Sequence, residues 1–319
     1  MKFAVALLIT AFAALTVWGQ SPPTLHIVTE IPNLPSDLYY GNTKVKPLRL
    51  RPGTNTPITI NDADFFVNQQ YVDFLSRFPD QSGFDFWTNQ ITACGANATC
   101  VDGLRTNTSG AFFLSIEFQE TGYLVERMYK VAYGDAQGQS TDGGAHPILV
   151  PIVRRSEFLP DTLEISNGVI VNQGNWQALL ESNKVAFAND FVSRSRFTTA
   201  YAGMSNSQFV DTLNSNAGNP LSTTERNQLV SDLTGGVKTR AQVVRAVAED
   251  QDLNVAEKNK AFVLMQYFGY LRRDPNSGPD TDYSGYDFWL KKLNAHGGDF
   301  HAAEMVRSFL VAGEYLNRF

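Results

Sequence analysis

The sequence YVDFLSRFPDQSGFDFW at residues 71–87 recurs at residues 267–289 as YFGYLRRDPNSGPDTDYSGYDFW. Both copies keep a tyrosine, a leucine, an arginine and a proline in register, and both close on Ser-Gly-Phe/Tyr-Asp-Phe-Trp. The second copy carries six additional residues between the proline and this closing run. The matching pairs include Tyr71/Tyr267, Leu75/Leu271, Arg77/Arg273, Pro79/Pro275 and Trp87/Trp289. A repeat this specific predicts one structural unit that the chain builds twice.

The residues around the first copy have a helical period. Apolar side chains recur at the spacing of one helix face, at Val67, Tyr71, Phe74 and Leu75. Asn61 or Asp62 is a suitable N-cap for this helix, and Pro79 marks the stop. Ser82-x-x-Asp85 then has the pattern of a capping box that opens the next helix. Two more helices are predicted at about 109–120 and 122–132, so residues 61–133 form the first helical repeat copy.

The C-terminal half of the chain repeats this order of helices and loops. Residues 205–253 contain three capping-box patterns, each followed by apolar residues at helical spacing, and form a degenerate copy without the arginine and tryptophan. The patterns begin at Ser205, Ser222 and Thr239. Residues 254–319 form the last copy, where Asp299 is expected to cap a closing helix.

The stretch between the copies, residues 134–204, is predicted to be a glycine-rich connector and a linking helix. Its first part, residues 134–145, is glycine-rich and polar and indicates a flexible connection. An apolar run at residues 148–153 indicates a strand or a packed loop. From Asn175 the helical period returns.

The N-terminal part of the chain has a different composition. Lys2, an apolar run at residues 3–17 and the small residue Gly19 predict a signal peptide over residues 1–19, cleaved before Gln20. Residues 20–60 hold half of the chain's 14 prolines and are predicted to form an extended arm with a short strand near Leu25–Val28. The expected fold is therefore mainly α, a helical repeat array or bundle with an extended proline-rich N-terminal arm.

Composition excludes some classes of protein. The formal charge of −6 and the pI near 5.3 argue against nucleic-acid binding, which requires a basic surface. No stretch after the signal is long and apolar enough for a membrane-spanning helix. We expect a secreted or cell-surface protein without a transmembrane segment in the mature chain.

The chain has two cysteines, Cys94 and Cys100, and five residues lie between them. A disulfide here would close a short loop and stabilise the fold by roughly 2 kcal/mol. A redox or metal pair is the alternative, but the spacing is not Cys-x-x-Cys and no histidine lies nearby.

The repeated motif resembles the domain-of-unknown-function 4214 family. The resemblance depends on Tyr-x-x-Phe/Tyr-Leu-x-Arg-x-Pro-Asp/Asn, on Ser-Gly-Phe/Tyr-Asp-Phe-Trp, and on a downstream Glu-Phe/Tyr pair that begins at Glu117 and Glu314. It is strong over residues 61–133 and 254–319 and weaker over 205–253. The resemblance implies a helical module, similar to phycobilisome linker domains, in an exported bacterial surface protein. It implies no catalytic residue.

A calcium site is one hypothesis for the last copy. Asp280-x-Asp282-x-Ser284 has the oxygen spacing of calcium-binding loops, and Asp287 lies close in sequence. In an EF-hand counted from Asp280, however, the position of the bidentate glutamate is occupied by Lys291. The alternative is that Ser284 and Asp287 cap a helix, and calcium is the one cofactor that the sequence suggests.

The repeated arginines and tryptophans are the other candidate ligand-binding residues. Arg77 and Arg273 are expected to have a structural role, either bonding helix C-terminal carbonyls or pairing with Glu117 or Glu314 of the same copy. The alternative is that they bind a ligand. Trp87 and Trp289 are typical of core or repeat-interface positions, with a carbohydrate platform as the alternative.

No catalytic signature is present. The four histidines form no H-E-x-x-H motif, and the sequence contains no G-x-S-x-G or Walker pattern. The sequence therefore favours a non-catalytic exported module for adhesion, assembly or interaction with an extracellular protein or cell-surface glycan. A carbohydrate- or calcium-binding module is the second hypothesis, and an uncharacterised hydrolase is the third.

Overall fold

A computed structural model describes residues 25–28, 37–41, 43–44 and 56–319. The predicted signal peptide lies outside the described residues, as does most of the predicted arm. The chain divides into two units, Met1–Pro47 and Leu48–Phe319. In the first unit the predicted strand at Leu25–Val28 is confirmed as β1. It pairs antiparallel with β2 (Asp37–Tyr40), which pairs with β3 (Thr43–Lys44).

The second unit is mainly helical, which confirms the predicted fold class. Its first half contains α1 (Ala63–Gln70), α2 (Gln81–Thr92), α3 (Ala98–Leu114), α4 (Ile116–Glu120), α5 (Gly122–Tyr133), β4 (Asp135–Ser140), β5 (His146–Pro151) and α6 (Arg155–Ser166). Its second half contains α7 (Trp176–Ser193), α8 (Ser195–Ala200), α9 (Asn206–Asn216), α10 (Thr223–Thr234), α11 (Arg240–Ala248), α12 (Gln251–Met265), α13 (Ser284–Ala295), α14 (Met305–Leu310) and α15 (Gly313–Leu316).

The two motif copies have the same local structure. In the first copy, α1 continues into a π-helical segment at Tyr71–Leu75, and in the last copy α12 continues into one at Gln266–Leu271. Each π segment ends at a non-glycine residue in the left-handed region, Ser76 and Arg272, both with φ of 53°. The repeated sequence therefore encodes a repeated backbone geometry, including its uncommon parts.

Packing against a tyrosine explains the glycine of the repeated Ser-Gly pair. A Cβ atom on Gly83 would lie 2.1 Å from the Tyr71 hydroxyl oxygen, and one on Gly285 would lie 2.5 Å from that of Tyr267. Both distances are far below a van der Waals contact. Glycine is therefore required where the tyrosine of each copy meets the first turn of α2 or α13.

The first and last copies pack directly on each other. The rings of Phe74 and Tyr270 meet edge to face with centroids 5.2 Å apart. Next to them, the fully buried carboxylate of Asp73 accepts hydrogen bonds from Arg318 at 2.7 and 3.0 Å and from Arg272 at 3.2 Å. The aromatic contact and the buried ion pairs hold the two π segments together.

The glycine-rich connector is a β-hairpin, so the prediction of a flexible connection at residues 134–145 was wrong. Strands β4 and β5 pair in register from Asp135 opposite Pro151 to Ser140 opposite His146. The hairpin also packs on the last copy, where the Tyr283 amide donates to the Gln139 carbonyl at 2.9 Å. Because both strands have partners, the polar glycine-rich sequence is ordered.

Helix starts were predicted with mixed success. The capping boxes at Ser205, Ser222 and Thr239 are all confirmed. The box at Ser82 was wrong, because α2 begins at Gln81 with Asp80 as its N-cap, and Asp80 accepts from the Gly83 amide at 2.9 Å. Helix α3 begins well before the predicted start at residue 109, because Asn97 caps it next to the disulfide. Helix α6 was missed, whereas α7 begins at the predicted place.

Candidate functional site

The first copy contains an open groove of about 210 Å³. It lies between the start of α2, the end of α3 and the loop that follows α6. Its principal side chains are those of Tyr71, Arg77, Asp80, Trp87, Ile116 and Glu117. We call this cavity the first-copy groove. It combines an aromatic and aliphatic side with an arginine and two carboxylates, a composition typical of ligand sites.

An arginine–glutamate pair forms the polar side of the groove. Arg77 Nε donates to Glu117 Oε1 at 2.6 Å, and Arg77 Nη2 donates to Glu117 Oε2 at 2.7 Å. Nη1 donates to the Phe78 carbonyl at 3.0 Å. Arg77 therefore makes the expected pair with Glu117, and the carbonyl that it binds belongs to the loop after the π segment. Burial lowers the pKa of Arg77, but the bond to Glu117 outweighs it and the net shift is upward, so the guanidinium stays charged.

Tyr71 and Asp80 of the groove also have fixed charge states. Burial, and after it the charge of Asp80, raises the pKa of Tyr71 to about 12, so its hydroxyl is neutral at physiological pH. Burial alone would raise the pKa of Asp80. Hydrogen bonds from the Ser82 hydroxyl and the Gly83 amide outweigh this, and the pKa is lowered. One guanidinium therefore faces two carboxylates.

The tryptophans pack on the core of their own copy. The Trp87 ring lies 6.2 Å from Phe112, and the Trp289 ring lies 5.6 Å from Phe309. Both indoles are half-buried and both support a more exposed phenylalanine at edge-to-face distance. These phenylalanines are Phe86 and Phe288, with exposures of 54% and 44%. Trp87 also lines the first-copy groove, so its outer face is available to a ligand.

Arg273 has the same partner type in the last copy but a different environment. Its Nε donates to Glu314 at 2.6 Å. The additional residues of this copy then surround it, with Asp280 accepting from Nη2 at 2.7 Å and the Ser277 carbonyl accepting from Nη1 at 2.8 Å. Arg273 is therefore engaged by its own chain, whereas Arg77 faces an open groove.

The four residues of the calcium hypothesis have separate partners. Asp280 pairs with Arg273, Asp282 accepts from the Ser284 amide at 2.9 Å, and the Ser284 hydroxyl bonds that of Thr141 at 2.8 Å. Within residues 56–319 and the described strands before them, no group of three or more acidic, histidine or cysteine side chains is arranged to hold a metal ion. Asp282 and Ser284 bond each other, whereas Asp280 bonds a residue outside the four.

Asp287, the last of these four, binds the hairpin. It accepts from the Ser140 hydroxyl at 2.6 Å and from Lys291 at 2.8 Å, and His146 Nε2 lies 3.1 Å away. Burial raises the pKa of Asp287, but these bonds outweigh it and the pKa is lowered. The carboxylate therefore holds β4 and β5 on α13 and is not exposed for catalysis.

The cysteines form the predicted disulfide. Cys94 and Cys100 are bonded, with Cα atoms 5.6 Å apart. The loop lies between α2 and α3 and precedes a second depression of about 380 Å³ that includes Gly95 and Val101 of the first copy and Leu316 of the last. The prediction of a Cys94–Cys100 disulfide is confirmed.

A buried charge cluster was not anticipated from the sequence. Lys130 pairs with Asp135 at 2.6 Å, and Lys260 pairs with Glu257 at 2.8 Å. Glu126 lies in the same cluster, and burial, followed by the charge of Glu257, raises its pKa well above the usual value. One side-chain oxygen of Glu126 has no hydrogen-bond partner. The only sequence signal was the pair Glu126 and Lys130, one turn apart on α5.

Comparison with protein-family models, curated proteins and solved structures finds no match to this chain. The family resemblance of the two copies therefore stays a hypothesis. Among the helices of residues 56–319, none has both the length and the apolar character needed to cross a membrane.

Proposed function

We propose that this chain is a non-catalytic helical module that is exported and binds a partner protein outside the cell or at its surface. The observation that carries the proposal is the first-copy groove. In the last copy, residues of the insertion bond to Arg273, whereas Arg77 of the first copy makes fewer hydrogen bonds and borders an open cavity. The first copy is therefore the binding side of the module.

Exposed apolar residues next to the groove support binding to a protein. Ile116 lines the groove and is 57% exposed, and Phe86 packs against Trp87 at its edge. Monomeric proteins seldom expose several large apolar side chains beside a cavity unless a partner covers them. Aromatic anchors with an arginine beside them are typical of the centre of protein interfaces.

The charge states in the groove favour binding over catalysis. Tyr71, with its raised pKa, is neutral at physiological pH and is not poised as a base. Arg77 is held by Glu117, and Asp80 is held by helix amides and Ser82. Fixed donors and acceptors of this kind suit recognition of a ligand.

Export is supported by the N-terminal sequence and by the disulfide. Disulfides persist in oxidising compartments, and both cysteines of the chain are paired. The hypothesis of a helical module of the domain-of-unknown-function 4214 type agrees with the same location.

A retention experiment tests the proposal. Residues 20–319 are immobilised and exposed to purified extracellular protein, polysaccharide and cell-wall fractions, once with calcium and once with chelator. We expect a defined protein to be retained in both conditions and to be lost in Trp87→Ala, while the matched variant Trp289→Ala keeps it. Retention of polysaccharide that Trp87→Ala abolishes would instead make the chain a carbohydrate-binding module, and retention only with calcium would support a calcium site.

A further inference from the structure

In the last copy, residues of the insertion surround the repeat arginine, Arg273. Arg273 donates from Nη1 to the main-chain carbonyls of Ser277, Asp274 and Pro275 at 2.8, 3.3 and 3.4 Å. A Cβ atom on Gly278 would lie 2.9 Å from Arg273 Cδ, so the main chain of the insertion passes directly against the arginine. Together with Glu314 and Asp280, these carbonyls occupy all five N–H groups of the guanidinium.

The first copy lacks the Ser277 carbonyl, whereas its Phe78 and Pro79 align with Asp274 and Pro275, and the Phe78 carbonyl accepts from Arg77 as the Asp274 carbonyl does from Arg273. With Asn276 aligned to Asp80, residues 277–282 have no counterpart there, and Arg77 makes three hydrogen bonds, two to Glu117 and one to the Phe78 carbonyl. Within the described part of the chain, two of its five N–H groups therefore have no hydrogen-bond partner. Asp80 Oδ2 lies 3.8 Å from Arg77 Nη1, which is too far for a hydrogen bond.

The charges of the groove select a neutral ligand. Asp80 and Glu117 together carry two negative charges and Arg77 carries one positive charge. A ligand carboxylate would therefore meet a net repulsion, although the free N–H groups of Arg77 require an acceptor. Asp80 Oδ2 is an open acceptor and Arg77 Nη1 an open donor, and the two lie side by side. A peptide group suits this pair, because its N–H can donate to Asp80 and its carbonyl can accept from Arg77.

The apolar side of the groove suits small residues. The Trp87 indole and Ile116 form its rim, and Asn172, from the loop after α6, contributes an exposed amide. A proline ring packs well on an indole, and glycine permits the close main-chain approach that Gly278 makes in the last copy.

We propose that the first-copy groove binds an extended, neutral segment of a partner protein through its main-chain amides. The segment is rich in glycine, serine and proline, like the insertion that fills the last copy. This inference rests on the proposed function, because it names the chemistry that the partner presents to the same groove. A second molecule of this chain is a poor source, because its own insertion is already bonded to Arg273.

The test uses the peptide of residues 275–279, Pro-Asn-Ser-Gly-Pro, with both ends blocked, titrated into the full chain by NMR. We expect saturable binding with one site per chain. Arg77→Lys, which keeps the charge but loses the forked N–H groups, weakens binding at least about tenfold. The matched variant Arg273→Lys leaves the affinity unchanged, and the peptide with aspartate in place of Asn276 binds several-fold more weakly.

A second variant covers the case in which Arg77→Lys unfolds. Ala111→Leu adds volume at the wall of the groove and keeps both residues of the arginine–glutamate pair, and we expect it to abolish peptide binding. No saturation up to about 5 mM peptide overturns the inference, as does equal binding by Arg77→Lys and the unchanged chain. If a protein is still retained by immobilised chain while the peptide fails, only this inference is lost. If neither binds, the proposed function is lost as well.

Discussion

Replacing Gly83 with alanine should destabilise the protein by about 1–2 kcal/mol, although alanine is the better helix former. The added Cβ atom would lie 2.1 Å from the Tyr71 hydroxyl oxygen and 3.3 Å from its Cζ atom. Tyr71 cannot move away easily, because it is 5% exposed and packs edge to face on Phe112 at 4.7 Å. Overpacking of this kind costs roughly 2–3 kcal/mol, and the helix preference of alanine offsets about 1 kcal/mol.

The cause of this loss can be isolated with a second substitution. Tyr71→Phe removes only the hydroxyl group, for which the described residues provide no hydrogen bond, so alone it should change stability by less than about 0.5 kcal/mol. In the Tyr71→Phe background the Cβ atom meets a ring carbon at a tight but tolerable distance. Gly83→Ala should then cost nothing or stabilise, which gives a coupling free energy of about 1–3 kcal/mol.

Urea unfolding, followed by circular dichroism with the disulfide intact, measures all four proteins of this cycle. Gly103→Ala on α3 is the matched control, because nothing lies within 4 Å of its added Cβ atom, and it should stabilise by about 0.5–1 kcal/mol. If Gly83→Ala costs the same in the Tyr71→Phe background as in the unchanged chain, the steric explanation of the Ser-Gly step is wrong.

Three further predictions concern charge and the disulfide. Because burial raises the pKa of Glu126, the folded state binds the carboxyl proton more tightly than the unfolded state does, and the free energy of unfolding should fall as pH rises above the ordinary carboxyl range. Glu126→Gln should remove this pH dependence and stabilise the protein by about 1–2 kcal/mol at pH 8. Melting curves recorded across pH measure both effects. The lowered pKa of Asp287 has the opposite effect, because the ionised carboxylate stabilises the folded state and this stabilisation is lost as pH falls through the folded pKa. Asp287→Asn should therefore lower the free energy of unfolding by about 2 kcal/mol at pH 7, and the variant and the unchanged chain should become equally stable at low pH. Equal losses at pH 7 and pH 2 would contradict that assignment. Replacing both Cys94 and Cys100 with serine should lower the unfolding free energy by about 2 kcal/mol in denaturant titration, and an unchanged midpoint would show that the loop is already ordered without the bond.

Local patterns predicted some of the helix starts. The capping boxes at Ser205, Ser222 and Thr239 depend on residues three positions apart, so the sequence contains the whole interaction. The partners of Arg77 and Arg273 were also predictable, because each repeat carries its own glutamate. At Ser82 two capping residues competed, and sequence could not show that Asp80 takes the position.

Contacts between distant parts of the chain were not predictable. The hairpin at residues 135–151 is ordered by Tyr283 and Asp287, which lie more than a hundred residues away in sequence. The reason for the glycine at Gly83 is the hydroxyl of Tyr71, which only a folded copy brings to it. The groove depends on the loop at Asn172, whose position no local pattern indicates. The aspartates near Asp280 had calcium-like spacing, but the folded chain gives each a different partner.

The two repeat arginines differ in their hydrogen bonds, because all five N–H groups of Arg273 are bonded by its own chain, whereas two of those of Arg77 have no partner among the described residues. NMR of the arginine side-chain N–H groups measures this directly, with signals assigned through Arg77→Lys and Arg273→Lys. We expect fast solvent exchange for part of the Arg77 guanidinium and slow exchange for that of Arg273, with only the Arg77 signals shifting when the 275–279 peptide is added. Equal protection of both arginines before the peptide is added, or a shift of the Arg273 signals alone, would contradict it.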